Sequence, residues 1–218
     1  MTRVHVFCEG QTEDVFVREV LGPYFRRMNI WLNPIIIRTG PQGKGGVTSY
    51  GKVKWQVENK CKEDNAAWVT TLLDFYGLPT DFPGMSSTGD SVTRAKAVEN
   101  AFQANIDLHN FISNIVVHEF EGLLFSAPTA FGDWFDRAGV VEELLDIRNG
   151  FASPEHINDG RETAPSKRIL DVCDTYDKVA HGSLIAMDIG LDTIRRECSM
   201  FDAWIKRLEG LATLSGIQ

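Results

Sequence analysis

Acidic side chains recur where apolar runs stop. "RVHVFC" (3–8) leads into Glu9-Gly10, with Glu13 close behind; "AAWVTTLLD" (66–74) finishes on Asp74; "FISNIVVHEFE" (111–121) closes on Glu119 and Glu121. Carboxylates brought together repel one another and are costly unless a proton or a cation lies among them. Hard divalent ions such as Mg²⁺ or Mn²⁺ take oxygen ligands, often a few from protein and the rest from water and phosphate. Two such ions about 4 Å apart serve in-line phosphodiester chemistry by activating water and stabilising the leaving oxygen. Glu9, Glu13, Asp74, Glu119 and Glu121 are the candidate metal ligands.

Each acid also has a plainer reading. Glu9 before Gly10 can be a solvated turn residue, and Glu13 and Asp14 suit the positive end of a helix. Asp74 before "FYG" can be a turn former. Glu119 and Glu121 share one face if the strand continues, and lie on nearly opposite faces if a helix has begun. The repeated sequence of apolar strand, terminal acid and turn is what favours a shared site.

The elements that must position these acids follow from periodicity. Residues 3–8, 30–39, 66–74 and 111–121 read as strands, Pro34 marking the second as an edge or a bulge. Between them, 12–25 reads as an amphipathic helix opened by Thr12, and 52–64 and 91–106 as further helices. This alternation predicts an α/β fold with a parallel sheet and flanking helices, in which ligands bind at the carboxyl ends of the strands. From about residue 127 strand signals vanish. "VEELLDIRNG", "PSKRILDVCDTYDKVA", "LDTIRREC" and "FDAWIKRLEG" all look helical. The expected organisation is an α/β domain over 1–126 with an all-helical lobe, 127–218, packed on it.

A phosphate-handling site needs cations as well. "GPQGKGG" does not satisfy the G-x-x-x-x-G-K-[ST] pattern, yet Lys44, followed by Lys52 and Lys54, can line a nucleic-acid strand or belong to a solvated loop. In "PSKR" a helix start offers free N–H groups to a phosphate beside Arg168, unless Ser166 is only a cap. His118 can position substrate or carry a proton, or be a hydrogen-bonded core residue. Cys8, Cys61, Cys173 and Cys198 lack metal-binding spacing and read as buried free thiols. Trp31, Trp55, Trp68, Trp134 and Trp204 read as core, and no G-x-S-x-G nucleophile site is present.

The net charge is −8, divided as −2 over residues 1–126 and −6 over 127–218. That balance argues against a protein that holds bare nucleic acid by a broad basic surface. No run approaches the roughly 18 apolar residues of a membrane span, and no signal-peptide pattern opens the chain, so the expected location is cytoplasmic.

Several of these stretches have a familiar form. "EGQTE" resembles the E-G-x-x-E first motif of Toprim-type nucleases, the OLD-type enzymes in particular; "LLDFYG" looks like a degenerate D-x-D motif, and "HEFE" stands in the place of the third acidic motif. Over nearly the full length, "VFCEGQTEDVFVREVL", "DFYGLPTDFPG", "HEFEGLLFSAP", "PEHINDGRETAPSKR" and "FDAWIKRLEGL" are similar to a bacterial family of unknown function, number 4276 of that series, regarded as Toprim-like. The Toprim resemblance proper covers about residues 1–126.

It implies a Mg²⁺-dependent phosphodiesterase with Glu9, Glu13, Asp74 and Glu121 as the motif acids and Glu119 beside them. Tyr76 replaces the second aspartate of D-x-D. Asp81 is a candidate substitute; otherwise the site holds one ion or has lost activity. OLD-type enzymes use a late lysine near the metals, and Lys167 is the candidate here. The expected function is cleavage of DNA or RNA in bacterial defence or repair, with an ABC- or SMC-like ATPase docked on the acidic lobe. Two alternatives stand beside it: a catalytically silent adaptor acting through protein binding, and a small-phosphoester hydrolase or phosphotransfer enzyme using the same metals.

Overall fold

The computed structural model describes residues 1–38, 47–157, 160 and 162–214. Strand β1 (Thr2–Cys8) runs through the middle of a parallel sheet with β2 (Ile30–Ile36) on one side and β3 (Trp68–Asp74) on the other. Beyond β3 lie β4 (Phe111–Ile112) and, further along the same edge, β5 (Ile115–Val116). The order is β2-β1-β3-β4, with β5 also paired to β3. The expected 111–121 strand is therefore shorter and interrupted. At the break Thr71 Oγ1 donates to the Asn114 carbonyl (2.7 Å) and Asn114 Nδ2 to the Thr71 carbonyl (3.0 Å), so side chains replace the missing ladder.

Alternation along the strands sends residues to opposite faces. Val4, Val6, Cys8 and Leu72 face one core, and Phe7, Val69 and Leu73 the other. The connections between strands are helices. The first crossover is α1 (Gln11–Phe16), a π-helical turn (Val17–Leu21) and α2 (Gly22–Arg26); α3 (Tyr50–Glu63) makes the second and α4 (Ser91–Ile106) the third. α3 and α4 cover the face bearing Phe7 through Val53, Val57, Val98 and Phe102. Pro34 lies on β2, an edge strand, as its missing N–H requires.

The other face is covered by α1, α2 and the C-terminal helices. After 3₁₀ segments at Phe120–Ser126 and Pro128–Asp133, the chain forms α5 (Val140–Asn149), α6 (Pro165–Val172), α7 (Ser183–Ile189), α8 (Leu191–Glu197), α9 (Ser199–Glu209) and α10 (Leu211–Leu214). Phe201, Trp204 and Ile205 of α9 share one continuous core with Val4, Val6 and Phe16. Trp204 Nε1 donates to Thr70 Oγ1 (2.9 Å), and buried Glu155 accepts from the N–H groups of Met200 (3.1 Å) and Phe201 (3.0 Å) at the start of α9. The run 165–180 is not one helix. It stops at Val172, and a π-helical turn, Lys178–Gly182, follows.

The cysteines are free and buried. The tryptophans are not uniformly core: Trp204 is buried, whereas Trp31 and Trp55 lie exposed on β2 and α3, and Trp134 is also exposed. No helix among the described residues is long and apolar enough to cross a membrane.

Candidate functional site

β1 and β3 run parallel with Cys8 opposite Leu72, so the residues that follow them emerge on the same rim. Glu9 Oε2 accepts from the Asp74 N–H (3.3 Å). The 3₁₀ turn Phe75–Gly77 closes over this carboxylate, and a Cβ on Gly77 would lie 2.9 Å from Glu9 Oε1. Glycine is what lets the backbone approach so closely.

Glu13, in the first turn of α1, is buried. Its Oε2 accepts from the Gly10 N–H (2.8 Å), the N3 half of a capping box, since Gly10 has no side chain to return the bond, while Oε1 faces the rim. Capping and site-facing are thus done by different oxygens of one carboxylate. Thr12 does not open the helix: Gly10 is the cap residue, and the Thr12 hydroxyl donates to the Lys178 carbonyl (3.3 Å). Glu121 enters from the 3₁₀ segment after β5, fully buried, its Oε1 accepting from the Tyr176 hydroxyl (3.4 Å).

Lys178 stands among these acids. Its Nζ is 3.2 Å from Glu121 Oε2, 3.4 Å from Glu13 Oε1 and 3.5 Å from Asp74 Oδ2. The turn that carries it is tied at Asp177, whose carboxylate accepts from the Ala180 N–H (2.8 Å) and whose N–H donates to His181 Nδ1 (2.9 Å).

One ammonium faces three clustered carboxylates, with Glu9 beside Asp74, and the titration behaviour follows. Burial, then the Glu13 charge, raises the Glu9 carboxyl above the usual range. Burial pushes Asp74 well up and raises Glu121, against the opposing pull of Lys178 on each. Lys178 itself is opposed by burial, but the charges of Asp74, Glu121 and Glu13 prevail and raise it. Asp74 Oδ1 is buried without a hydrogen-bond donor, and Glu13 Oε1 and Glu121 Oε2 are buried with only the Lys178 ammonium facing them. Such oxygens suit a hard cation. Among the described residues, however, no three His, Cys, Asp or Glu side chains already converge on an ion-sized point.

Other expected residues take different places. Glu119 Oε2 accepts from the Ser166 N–H (3.1 Å) at the start of α6, so it caps that helix at the border of the cluster. Lys167 is exposed on α6 and forms no ion pair among the described residues; the lysine among the acids is Lys178. Arg168 donates to the Thr163 carbonyl (2.9 Å) and lies over the Phe151 ring. The Asp81 carboxylate accepts from the Tyr50 N–H at the start of α3. His118 is buried, with a left-handed backbone (φ 66°), and lines a cleft beside the acids with Tyr76. Lys44 lies outside the described residues.

Lys178 and Tyr176 were missed because "PSKRILDVCDTYDKVA" reads as continuous helix. The available signal was Asp177, a helix-start residue inside that run.

A solved structure described as the C-terminal region of the Xanthomonas campestris pv. campestris OLD protein is similar, with 13% identity, a TM-score of 0.47, and coverage of 100% of this chain and 99% of that chain. No curated protein matches significantly. The sequence pattern of the family described as "Domain of unknown function (DUF4276)" matches residues 8–209, and the chain belongs to that family.

Proposed function

We propose that the chain is a Toprim-like, Mg²⁺- or Mn²⁺-dependent nuclease that hydrolyses phosphodiester bonds. The observation that carries this reading is the convergence of Glu13, Asp74 and Glu121 around a single ammonium, with Glu9 held against Asp74 and with Asp74 Oδ1 buried without a hydrogen-bond donor. Glu13, Asp74 and Glu121 would hold the ion, with Glu9 against them. A bound divalent ion supplies Lewis-acid activation of water and charge neutralisation at phosphate. Glu9, with its carboxyl raised by burial, accepts the proton of the attacking water. Lys178 is the cation placed to meet a non-bridging phosphate oxygen once its hold on the acids loosens.

The E-G-x-x-E resemblance supports the reaction class and a role in bacterial defence or repair. It also supports a DNA-gripping ATPase partner, which a chain of net charge −8 needs more than a basic nuclease would. The test is cleavage of plasmid and of structured RNA with Mn²⁺, comparing wild type with Asp74→Asn, alone and with a co-expressed ATPase. Mn²⁺-dependent cleavage lost in the variant supports the reading, and absence of cleavage throughout overturns it.

A second reading is favoured by two features. Lys178 already supplies the acids with a counter-charge, and Tyr76 stands where the resemblance places an acid, as in a silent adaptor with a permanent ion cluster. In that case Mn²⁺ has no effect on the melting temperature.

A further inference from the structure

The rim acids border a cleft of about 200 Å³ lined by Phe75, Tyr76, Met85, Ser91, Arg94 and His118. Phe75 and Tyr76 directly follow Asp74, and the Tyr76 N–H donates to the His118 carbonyl (2.9 Å), joining the cleft floor to the segment that leads to Glu119. Ligand pockets for drug-sized molecules run about 300–1,000 Å³. This cleft is smaller and open along the exposed Tyr76 ring, so it can take part of one nucleotide while the rest lies outside it.

Its lining has both kinds of surface. The Arg94 guanidinium lies 5.3 Å over the Phe75 ring and, among the described residues, its side chain forms no ion pair or hydrogen bond with protein. An arginine held by a ring keeps its fork of N–H donors for an anion. Ser91 is 7% exposed, and its hydroxyl forms no hydrogen bond among the described residues. The nearby carboxylate of Asp90 is turned to the Thr93 N–H (2.7 Å). Tyr76 is 41% exposed, a large apolar ring presented beside buried acids.

We propose that this cleft seats one nucleotide of a single-stranded polynucleotide next to the scissile phosphate, its base on Tyr76 and its phosphate on Arg94 and Ser91. The proposal rests on the phosphodiesterase reading above and adds the substrate class. In a duplex both faces of a base are covered by its stacked neighbours, so only an unstacked base can lie on the Tyr76 ring; base–aromatic stacking is also sequence-tolerant. Tyr76, at the position of the absent second aspartate, thereby acquires a binding role.

The test is fluorescence anisotropy with labelled single-stranded DNA, single-stranded RNA and matched duplexes. Ca²⁺ replaces Mg²⁺ so that the carboxylates are neutralised. Expected is tighter binding of a single strand than of its duplex, a loss of about tenfold in Tyr76→Ala, and near-normal binding in Tyr76→Phe. Arg94→Gln should flatten the dependence of log K on log salt by about 0.7, the share of one phosphate contact on a single strand. A purely structural role would not move that slope. Equal binding of strand and duplex, or unchanged binding by Tyr76→Ala, overturns the proposal. Hydrolysis of bis(p-nitrophenyl) phosphate by the wild type reads the carboxylate site separately. A protein that hydrolyses this diester yet binds no polynucleotide refutes the single-strand subsite alone.

Discussion

Lys178→Met removes the ammonium and keeps most of the alkyl stem. At an effective dielectric constant of about 20, each contact near 3.4 Å is worth about 5 kcal/mol in gross attraction. The net value is far smaller, because the cation is desolvated and the acids it joins repel one another. Breaking a buried pair costs about 3–5 kcal/mol, and the Lys178 side chain is 39% exposed, so solvent screening brings the expected loss to about 2–3 kcal/mol. At about 2–4 °C per kcal/mol for a chain of this size, the melting temperature in EDTA at pH 8 should fall by about 4–12 °C. Mn²⁺ at a hundredfold excess over its dissociation constant should restore about 2.7 kcal/mol, with a larger shift in the variant than in wild type because no ammonium competes for the acids. Differential scanning fluorimetry with and without Mn²⁺ reads both. An unchanged melting temperature in EDTA would refute the claim that Lys178 offsets these acids; a normal destabilisation that Mn²⁺ leaves untouched would refute the cation site and leave the permanent ion cluster.

Three further outcomes are expected. Glu9, Asp74 and Glu121 have carboxyls raised in the folded state, chiefly by burial, so between the ordinary carboxylate range and the raised values the folded chain binds more protons than the unfolded one. Stability in EDTA should therefore decline as pH rises through that window, and Asp74→Asn should make the decline shallower; thermal melts from pH 5 to 8 that are parallel for the two proteins would contradict this. Gly77→Ala drives a Cβ to 2.9 Å from Glu9 Oε1, so Mn²⁺ affinity measured by calorimetry should drop about tenfold for a stability cost of about 1–3 kcal/mol. Glu155→Ala removes the acceptor for the first N–H groups of α9 and should cost about 2–3 kcal/mol in denaturant melts while leaving Mn²⁺ affinity unchanged, which separates a structural acid from those at the rim.

What the sequence disclosed, and what it hid, divides along physical lines. β1, β3 and α4 were legible because their signals are local: β-branched and aromatic runs for the strands, a sustained apolar period for the helix. The end of the fourth strand was hidden because its pairing passes through the side chains of Thr71 and Asn114, a tertiary arrangement with no periodic trace. The helix at 165–180 was overextended for a similar reason. Nothing apolar marks the break at Cys173, and the turn beyond it is held by Asp177, His181 and the distant Thr12.

The candidate site divides in the same way. Carboxylates at strand ends declare themselves, because a parallel sheet brings its carboxyl ends to one rim whatever the intervening sequence. Their counter-charge does not, because it arrives from the helical region on an irregular turn. Lys167 had the more promising context, a proline-led helix start, but that start is capped by Glu119, which leaves Lys167 exposed. Lys178 reaches the acids because α1 and its turn are locked together, the Thr12 hydroxyl holding the Lys178 carbonyl while Glu13 faces the Lys178 ammonium. The E-G-x-x-E stretch therefore does more than supply acids. Its threonine fixes the backbone of the lysine that balances them, and Thr12→Val should loosen Lys178 without touching a carboxylate. The expected sign is a lower melting temperature in EDTA and a smaller deficit with Mn²⁺, the Lys178→Met pattern in weaker form. A Thr12→Val protein whose deficit ignores Mn²⁺ would break the proposed link between the turn and the acids.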